Sequence, residues 1–286
     1  VNKNKGFGVK EKKPDRKYSR LVSMLKKMEG IVVAFSGGVD SSLLLAAAVD
    51  ALGEKALGIT ATSPTYSMEE LTRAKKVASI IGARLVLLET HELESIYFKE
   101  NPIDRCYHCK KELFEELKKV AVREGLPVIM DGNNIDDLGD YRPGARAAKE
   151  ACVRSPFVEL GIGKNDIRKM ARERGLPNWN EPAHACLASR IPYGEEITLQ
   201  RLERIGKAER GIRAAGFVQF RVRDHGTVAR VELAPSEISR ALPPVVRKKI
   251  VAACKKAGYA YVAMDLEGYK TGSMNRVLKD AQGGAI

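Results

Sequence analysis

Two groups of residues in this chain have the types and spacing for chemistry. The first lies in IVVAFSGGVDSSLLLAAAV, residues 31–49, where an apolar run stops at Ser36-Gly37-Gly38 and resumes after Asp40-Ser41-Ser42. Adjacent glycines let a backbone turn tightly and expose its N–H groups. The hydroxyls of Ser36, Ser41 and Ser42 add donors, and a helix starting at about Ser41 points its positive end into the loop. Together these make a nest for phosphate oxygens. The plainer alternative is a strand–helix turn with Asp40 or Ser41 as a simple N-cap. No Gly-Lys-Ser/Thr follows, so this is not a Walker A loop and no lysine of the loop reaches for phosphate. Asp40 is the natural carboxylate for Mg²⁺, a hard cation that takes oxygen ligands.

The second group is cysteine. Cys106 and Cys109 form a C-x-x-C in DRCYHCKKELF, and Cys186 stands far along the chain in NEPAHACLASRIPYG. Three thiolates suit a 4Fe–4S cluster with one iron left open. Together with His108 and His184 they also suit a structural zinc site, and reduced thiols without a metal are a third reading. Arg105, Lys110, Lys111 and the start of a helix are expected to lower the pKa of the paired thiols. Cys254 falls on the apolar stripe of a helix and reads as core packing, and Cys152 reads the same way. Five cysteines in 286 residues, an odd number, do not make a disulfide framework.

The elements that must position these residues follow a regular pattern. IVVAF, ALGIT, RLVLLET, PVIMDG and VRSPF read as strands. They alternate with helical stretches, among them SSLLLAAAVDAL, MEELTRAKKVASIIG and a long helix from about Tyr107 to Glu124. That alternation predicts an α/β fold with a parallel sheet covered on both faces. In such sheets ligands sit beyond the carboxyl ends of the strands, where the glycine loop lies. After RIPYG the pattern changes. TLQRLERIGKAERGIRAAG reads as one amphipathic helix, VQFRVRDHGTVARVEL as two strands turning at His225-Gly226, and YAYVAMDL as a later strand. This predicts a smaller α+β domain. The expected organisation is a basic arm over 1–18, a nucleotide domain over 19–192 and the smaller domain over 193–286.

The net charge of +13 favours anionic partners such as nucleotides, phosphorylated substrates or RNA. The first residues are basic and lack an apolar core, so they read as a loose arm and not a signal peptide. No apolar run is long enough to span a bilayer, which predicts a cytoplasmic protein. Asn133, Asn134, Asp136 and Asp137 in MDGNNIDDLGDYRPG could cap a helix and turn the chain, or line the nucleotide pocket.

SGGVDSS resembles the PP-loop of N-type ATP pyrophosphatases, which cleave ATP between the α- and β-phosphates, transfer AMP to an oxygen and let a nucleophile displace it. GITATSP stands where that superfamily contacts adenine through backbone groups. SGGVDSS, RCYHCKKELF, DGNNIDDLGDYRPG, CLASRIPYG, RVRDHGTVARVE and DLEGYKTGSMN together resemble the LarE family over nearly the whole chain after the arm. LarE proteins are ATP-dependent sulfurtransferases that build the nickel-pincer nucleotide cofactor. The resemblance implies a PP-loop domain followed by a smaller domain, a homo-oligomer, and pyridinium-3,5-dicarboxylate mononucleotide as substrate. ATP adenylates a carboxylate, pyrophosphate leaves, and sulfur displaces AMP.

The family has two sulfur sources: a sacrificial cysteine at the place of Cys186, and a sulfide on a 4Fe–4S cluster held by three cysteines and reloaded by a sulfide donor. The presence of Cys106 and Cys109 beside Cys186 favours the second. Ser189, Arg190, Arg221 and Arg223 are expected on a substrate phosphate. Glu209 and Lys110 are expected either to contact substrate or to pair with neighbouring charges. Competing readings are a tRNA thiolase, an amide-forming ligase and a non-catalytic nucleotide-binding protein. The C-terminal motifs and the absence of a separate RNA-binding module speak against nucleic acid.

Overall fold

The computed structural model describes residues 15–138, 143–182, 185–270 and 272–275. Residues 1–14 of the expected arm, together with His184, therefore lie outside the described residues. Residues 16–18 do not belong to a loose arm: they open helix α1, Arg16–Leu25, whose first turn is capped by the Asp15 carboxylate accepting from Lys17 N at 2.8 Å.

The N-terminal half continues as β1 (Ile31–Ala34), α2 (Val39–Leu52), β2 (Ala56–Thr62), α3 (Met68–Ile81), β3 (Arg84–Glu89), α4 (Arg105–Glu124), β4 (Val128–Met130), α5 (Pro143–Glu150) and α6 (Lys164–Glu173). The four strands form a parallel sheet in the order β3-β2-β1-β4. Strand order reverses beside β1, so the glycine loop leaves the sheet at a topological switch point, where a crevice opens between diverging connections. VRSPF does not form the expected fifth strand. Arg154 makes a single bridge to Met130, and Pro156 then starts a short helical turn over Pro156–Glu159. Proline has no N–H for a ladder and favours the first turn of a helix.

Both faces of the sheet are covered, as the alternation predicts. Residues 43–48 of α2 are fully buried on all sides, between the sheet, α1 and α6. That explains a helix with almost no polar face. On the other face Val32, Leu57 and Ile129 pack against Leu113, Phe114 and Leu117 of α4. Helix α3 begins with a reciprocal capping box: Glu70 N donates to Ser67 Oγ at 3.2 Å and Ser67 N to Glu70 Oε2 at 2.9 Å.

The second half contains α7 (Leu199–Ala214), β5 (Phe220–His225), β6 (Val228–Leu233), α8 (Pro244–Lys256) and β7 (Tyr261–Met264). β5 and β6 are an antiparallel hairpin, and β7 adds to β6 in parallel. Cys254 lies in this core, and burial pushes its thiol up to about 11. Asp224, buried at the end of β5, accepts from Arg201, Arg204 and the Tyr259 hydroxyl. The two halves share a further cluster, in which Phe98, Leu187, Ala188 and Ile191 meet Ile197, Leu202 and Ile205. The chain segment carrying Cys186 is thereby packed between them.

Candidate active site

The glycine loop has the backbone the phosphate nest needs. Gly37 has φ +72°, and a Cβ there would stand 2.9 Å from Ala74 Cα. Only glycine combines that left-handed conformation with that approach. Gly38 is the N-cap, so α2 begins at Val39, two residues before the expected start. Ser36 and Ser41 bond to each other at 3.2 Å, Gly38 N donates to Ser36 Oγ at 3.3 Å, and Ser41 Oγ donates to Gly38 O at 3.2 Å. Ser42 is turned inwards to Asn178. The loop opens on a cavity of about 310 Å³ whose lining includes Ser36, Thr60, Thr62, Tyr66, Glu70 and Lys110. GITATSP therefore forms its wall, and Lys110 reaches it from α4.

Distant segments complete the loop. Asn178, after α6, donates from Nδ2 to Gly37 O at 2.8 Å and to Ser42 Oγ at 2.9 Å. Lys164, the first residue of α6, places Nζ 2.5 Å from Asp40 Oδ2. The other Asp40 oxygen is buried with no partner among the described residues. Burial pushes the Asp40 carboxyl up and Lys164 opposes it. Asp131, at the end of β4, is raised for the same reason and accepts from Ser155 Oγ at 2.6 Å. Gly132 packs against the start of α2, where a Cβ would meet Ser41 N at 2.9 Å. A lone carboxylate oxygen in a half-buried pocket beside a phosphate nest fits a hard cation.

The Asn/Asp cluster caps. Asp136 N donates to Asn134 Oδ1 at 3.0 Å and Asn134 N to Asp137 Oδ2 at 3.0 Å, while Asp136 Oδ2 accepts from Lys164 N at 2.6 Å. Asn133 bonds Asp131. These residues turn the chain, and by capping α6 they also aim it at Asp40.

Cys106 and Cys109 occupy the first turn of α4, and Cys186 precedes a short 3-10 turn over Leu187–Arg190. Arg105 and Asn101 join these two places. Arg105 Nη1 donates to Asn101 Oδ1 at 2.5 Å and to Ala188 O at 3.1 Å, while Asn101 Nδ2 donates to Pro192 O at 2.6 Å and Glu195 O at 3.1 Å. Leu187 N donates to Thr65 O at 2.8 Å, which docks the Cys186 segment on the loop beyond β2. Beneath that contact the buried Glu92 accepts from Ser63 Oγ at 2.5 Å and Thr65 Oγ1 at 2.7 Å.

The three thiols are electrostatic neighbours. Burial pushes the Cys109 thiol well up, and Cys186 is raised likewise although Arg105 and Arg190 oppose it. This corrects the expectation that nearby cations lower the C-x-x-C thiols: for Cys109 desolvation outweighs them. Among the described residues no three His, Cys, Asp or Glu side chains are gathered closely enough for one metal ion. A cubane spreads its ligands over separate irons, and the donor set fits it: soft thiols from a helix start and a facing loop, beside two buried guanidiniums. His108 stacks on Tyr97 at 5.2 Å and lies 3.6 Å from Asp104. Cys152 is not in the core: it is exposed, at φ +58°, in the turn that ends α5.

Arg190 is almost wholly buried in a two-pronged pair with Glu209, Nε to Oε1 at 2.8 Å and Nη2 to Oε2 at 2.9 Å. Its Nη1 donates to Ala185 O, Cys186 O and Ser189 Oγ. Glu209 also accepts from Val222 N at 3.1 Å, and despite burial Arg190 holds its carboxyl below the usual range. Arg223 donates to Ser189 O, Glu232 Oε2 and Ser273 Oγ at 2.7, 2.7 and 2.8 Å, and its Nε is buried without a partner among the described residues. Arg221 lies over Tyr269 at 4.9 Å. The structure thus brings Cys186, Ser189, Arg190, Glu209, Arg221 and Arg223 together where the halves meet. Sequence reasoning missed Asn101, Arg105's role, Glu92, Asp131, Lys164 and Asn178. Only Asp131, which directly follows β4, carried a positional signal.

A family profile described as NAD synthase matches residues 19–120, the part that holds the glycine loop and the C-x-x-C. The chain is 43% identical over 264 residues to an uncharacterised Synechocystis protein, covering 92% of this chain and 98% of the relative. It is 36% identical over 267 residues to the pyridinium-3,5-bisthiocarboxylic acid mononucleotide synthase of Lactiplantibacillus plantarum, covering 93% and 96%. An uncharacterised protein of Methanocaldococcus jannaschii is 32% identical over 259 residues, 90% and 98% of the two chains. Similarity of this extent runs through both halves and the segment between them, and the chain belongs to the LarE family of PP-loop proteins.

Proposed function

We propose that this chain is an ATP-dependent sulfurtransferase that converts pyridinium-3,5-dicarboxylate mononucleotide towards its thiocarboxylate form in nickel-pincer nucleotide assembly. The observation that carries this reading is the docking of the Cys186 segment on the loop beyond β2 through Leu187 N and Thr65 O. Tyr66, which lines the cavity, is also an electrostatic neighbour of Cys109 and Cys186, and this supports a role for the cysteines that an amide-forming ligase would not need.

In this reading the N–H groups of Gly37, Gly38 and Val39 and the hydroxyls of Ser36 and Ser41 hold the leaving pyrophosphate, and Asp40 holds Mg²⁺ beside it. Carboxylate oxygen is a poor leaving group. Attack by the substrate carboxylate on the α-phosphorus releases pyrophosphate and leaves AMP as a good one. Lys110, on the cavity wall, balances negative charge there. Arg221 and Arg223 draw the mononucleotide phosphate to the Cys186 segment, with Ser189 beside them. Arg190 and Glu209 act by holding that segment, since their charges are spent on each other and on its carbonyls. Cys106, Cys109 and Cys186 would hold a 4Fe–4S cluster, and that group would supply the sulfur that replaces AMP. ATP chemistry belongs to residues 19–192 and substrate phosphate binding and self-association to residues 193–286. Among the described residues no helix is long and apolar enough to cross a membrane.

The test is iron and acid-labile sulfide content after purification without oxygen, followed by turnover with ATP, sulfide and the dicarboxylate mononucleotide. About four irons per chain, with repeated turnovers that Cys106→Ser abolishes, are expected. No iron after reconstitution, with one turnover that leaves Cys186 as dehydroalanine, would make this chain a sacrificial donor. Transfer of sulfur to tRNA instead would move it to the RNA thiolases.

A further inference from the structure

Glu92 is a carboxylate in a buried place. It opens a 3-10 turn over Glu92–Glu94, just beyond β3, and is 2% exposed. Its Oε1 accepts from Ser63 Oγ at 2.5 Å and from Thr65 Oγ1 at 2.7 Å, while its Oε2 is buried with no partner among the described residues. Burying a carboxylate half-satisfied is costly, so its position calls for a physical reason. The two hydroxyls are 2.8 Å from each other, and Thr65 N donates to Ser63 Oγ at 3.2 Å. One carboxylate oxygen thus closes the turn that follows β2. Glu92 is itself anchored through its neighbours. Thr90 N donates to Thr62 O at 3.1 Å, which carries the β2–β3 pairing up to the turn. His91 N donates at 2.8 Å to Glu112 Oε1 on α4, the helix that carries Cys106 and Cys109.

The clamped turn has two sides. Ser63 and Tyr66 line the cavity beside the glycine loop. Thr65 O accepts from Leu187 N at 2.8 Å and so holds the residue after Cys186. Leu93, next to Glu92, packs with Cys109 and Cys186 on the apolar cluster where the two halves meet. We propose that Glu92 is a positioning residue for sulfur transfer: by fixing Ser63 and Thr65 it makes one turn both the wall of the nucleotide cavity and the seat of Cys186, so that a nucleotide filling the cavity also steadies Cys186. The inference deepens the ATP-dependent sulfurtransferase reading above and rests on it. A turn held only by its own backbone can shift by rotating a peptide. A buried carboxylate bonded to two of its side chains opposes that shift, because moving either hydroxyl leaves the carboxylate oxygen less satisfied in a low-dielectric place. A carboxylate suits the position, since both partners are hydroxyls with a proton to give and it needs only to accept. Whatever presses on Ser63 and Tyr66 from the cavity is then felt at Thr65 O, and the coupling runs equally in the other direction. Glu92 acts through Thr65 on Leu187, and no bond, proton or electron is exchanged.

The test reads thiol reactivity, apart from turnover. The full chain, freed of metal by a chelator, is alkylated with iodoacetamide, and each cysteine is followed by peptide mass spectrometry with and without the α,β-methylene analogue of ATP. In wild type the analogue should slow alkylation of Cys186 about 5-fold or more, the size of an ordinary coupling between sites. In Glu92→Ala, Cys186 should react about 10- to 100-fold faster without nucleotide, the range of a hydrogen bond to a charged group. The analogue should still bind by calorimetry yet no longer slow the reaction. Thr65→Val keeps Thr65 O and removes one hydroxyl, and it should move Cys186 the same way by a smaller factor. Glu92→Gln, which can still accept, should restore part of the protection. Cys254, buried in the core of the second half, is the control and should keep its wild-type rate in every variant. Unchanged Cys186 rates in Glu92→Ala and Thr65→Val would overturn the proposal. So would an equal rise at Cys254, which would make Glu92 a general support of the fold, or protection by the analogue as strong as in wild type. A wild-type protein that binds no nucleotide would overturn the ATP-dependent reading itself, and the nucleotide-free rates would then decide alone whether Glu92 seats Cys186.

Discussion

Arg105, the residue before the C-x-x-C, donates to the carbonyl of Ala188, two residues after Cys186, at 3.1 Å. A buried guanidinium therefore bridges the two chain segments that carry the three cysteines. With Asn101 it ties together carbonyls at Ala188, Ile191, Pro192 and Glu195. Replacing Arg105 by Met leaves these acceptors unmet. Stability should fall by about 1–3 kcal/mol, the cost of orphaned buried polar groups. Iron retention after anaerobic reconstitution should fall further than stability, because the cysteines proposed as ligands are no longer held in register. Thermal unfolding and iron content on the same preparation check both.

The Arg190–Glu209 pair separates holding from binding. Glu209→Gln leaves a buried guanidinium without its counter-charge, and we expect a loss of about 3–5 kcal/mol. The double replacement Arg190→Met with Glu209→Leu removes both charges and should recover much of that loss, since apolar pairs of similar volume replace buried ion pairs well. Sulfur transfer should not return, because Arg190 also holds the carbonyls of Ala185 and Cys186. Denaturant titration and product formation on the three variants read these separately.

Gly37 and Gly53 both have positive φ, +72° and +56°, but a Cβ at Gly53 meets nothing within 4 Å. Gly37→Ala should lose pyrophosphate release, since strain and the clash with Ala74 reshape the phosphate nest. Gly53→Ala carries strain alone and should cost about 1 kcal/mol with pyrophosphate release intact. A pyrophosphate assay with both variants compares the two effects.

Asp50 predicts an acid limit. Burial pushes its carboxyl up, but Arg174, in a two-pronged bond, and the Tyr18 hydroxyl outweigh this and leave it below the ordinary 3.8. A depressed carboxyl contributes stability that is present above its unfolded value and lost as pH falls through its folded value. Wild type should therefore exceed Asp50→Asn in melting temperature at about pH 6, with the gap closing towards about pH 2. Arg174 is 42% exposed, so the gap should be modest and should shrink with added salt. A gap that widens in acid would contradict the assignment.

Much of this protein was legible in its residues, because the deciding physics is local. Adjacent glycines between an apolar strand and an apolar helix let the backbone turn within a few residues, and Gly37 does so at φ +72°. Alternating apolar strands and helices require a sheet covered on both faces. The hairpin around His225-Gly226 and the buried Cys254 followed in the same way.

What only the tertiary structure decided are relationships between groups far apart in the chain. The sequence contains Lys164, Asn178 and Arg105, but no spacing rule sends them to Asp40, Gly37 and Ala188. Those meetings depend on how α6 packs on α2 and how the Cys186 segment seats on Thr65. The charges of Arg190 and Glu209 could have faced a substrate, and packing turned them on each other. Cys109 has cations nearby in sequence, yet its thiol is raised, because desolvation is set by the whole fold and not by neighbours along the chain. Cys152 and VRSPF diverged from their sequence patterns for a related reason: a turn residue and a proline answered to the segments around them. Local sequence wrote the loop and the helices; the packing of distant segments decided which charges remain to meet a ligand.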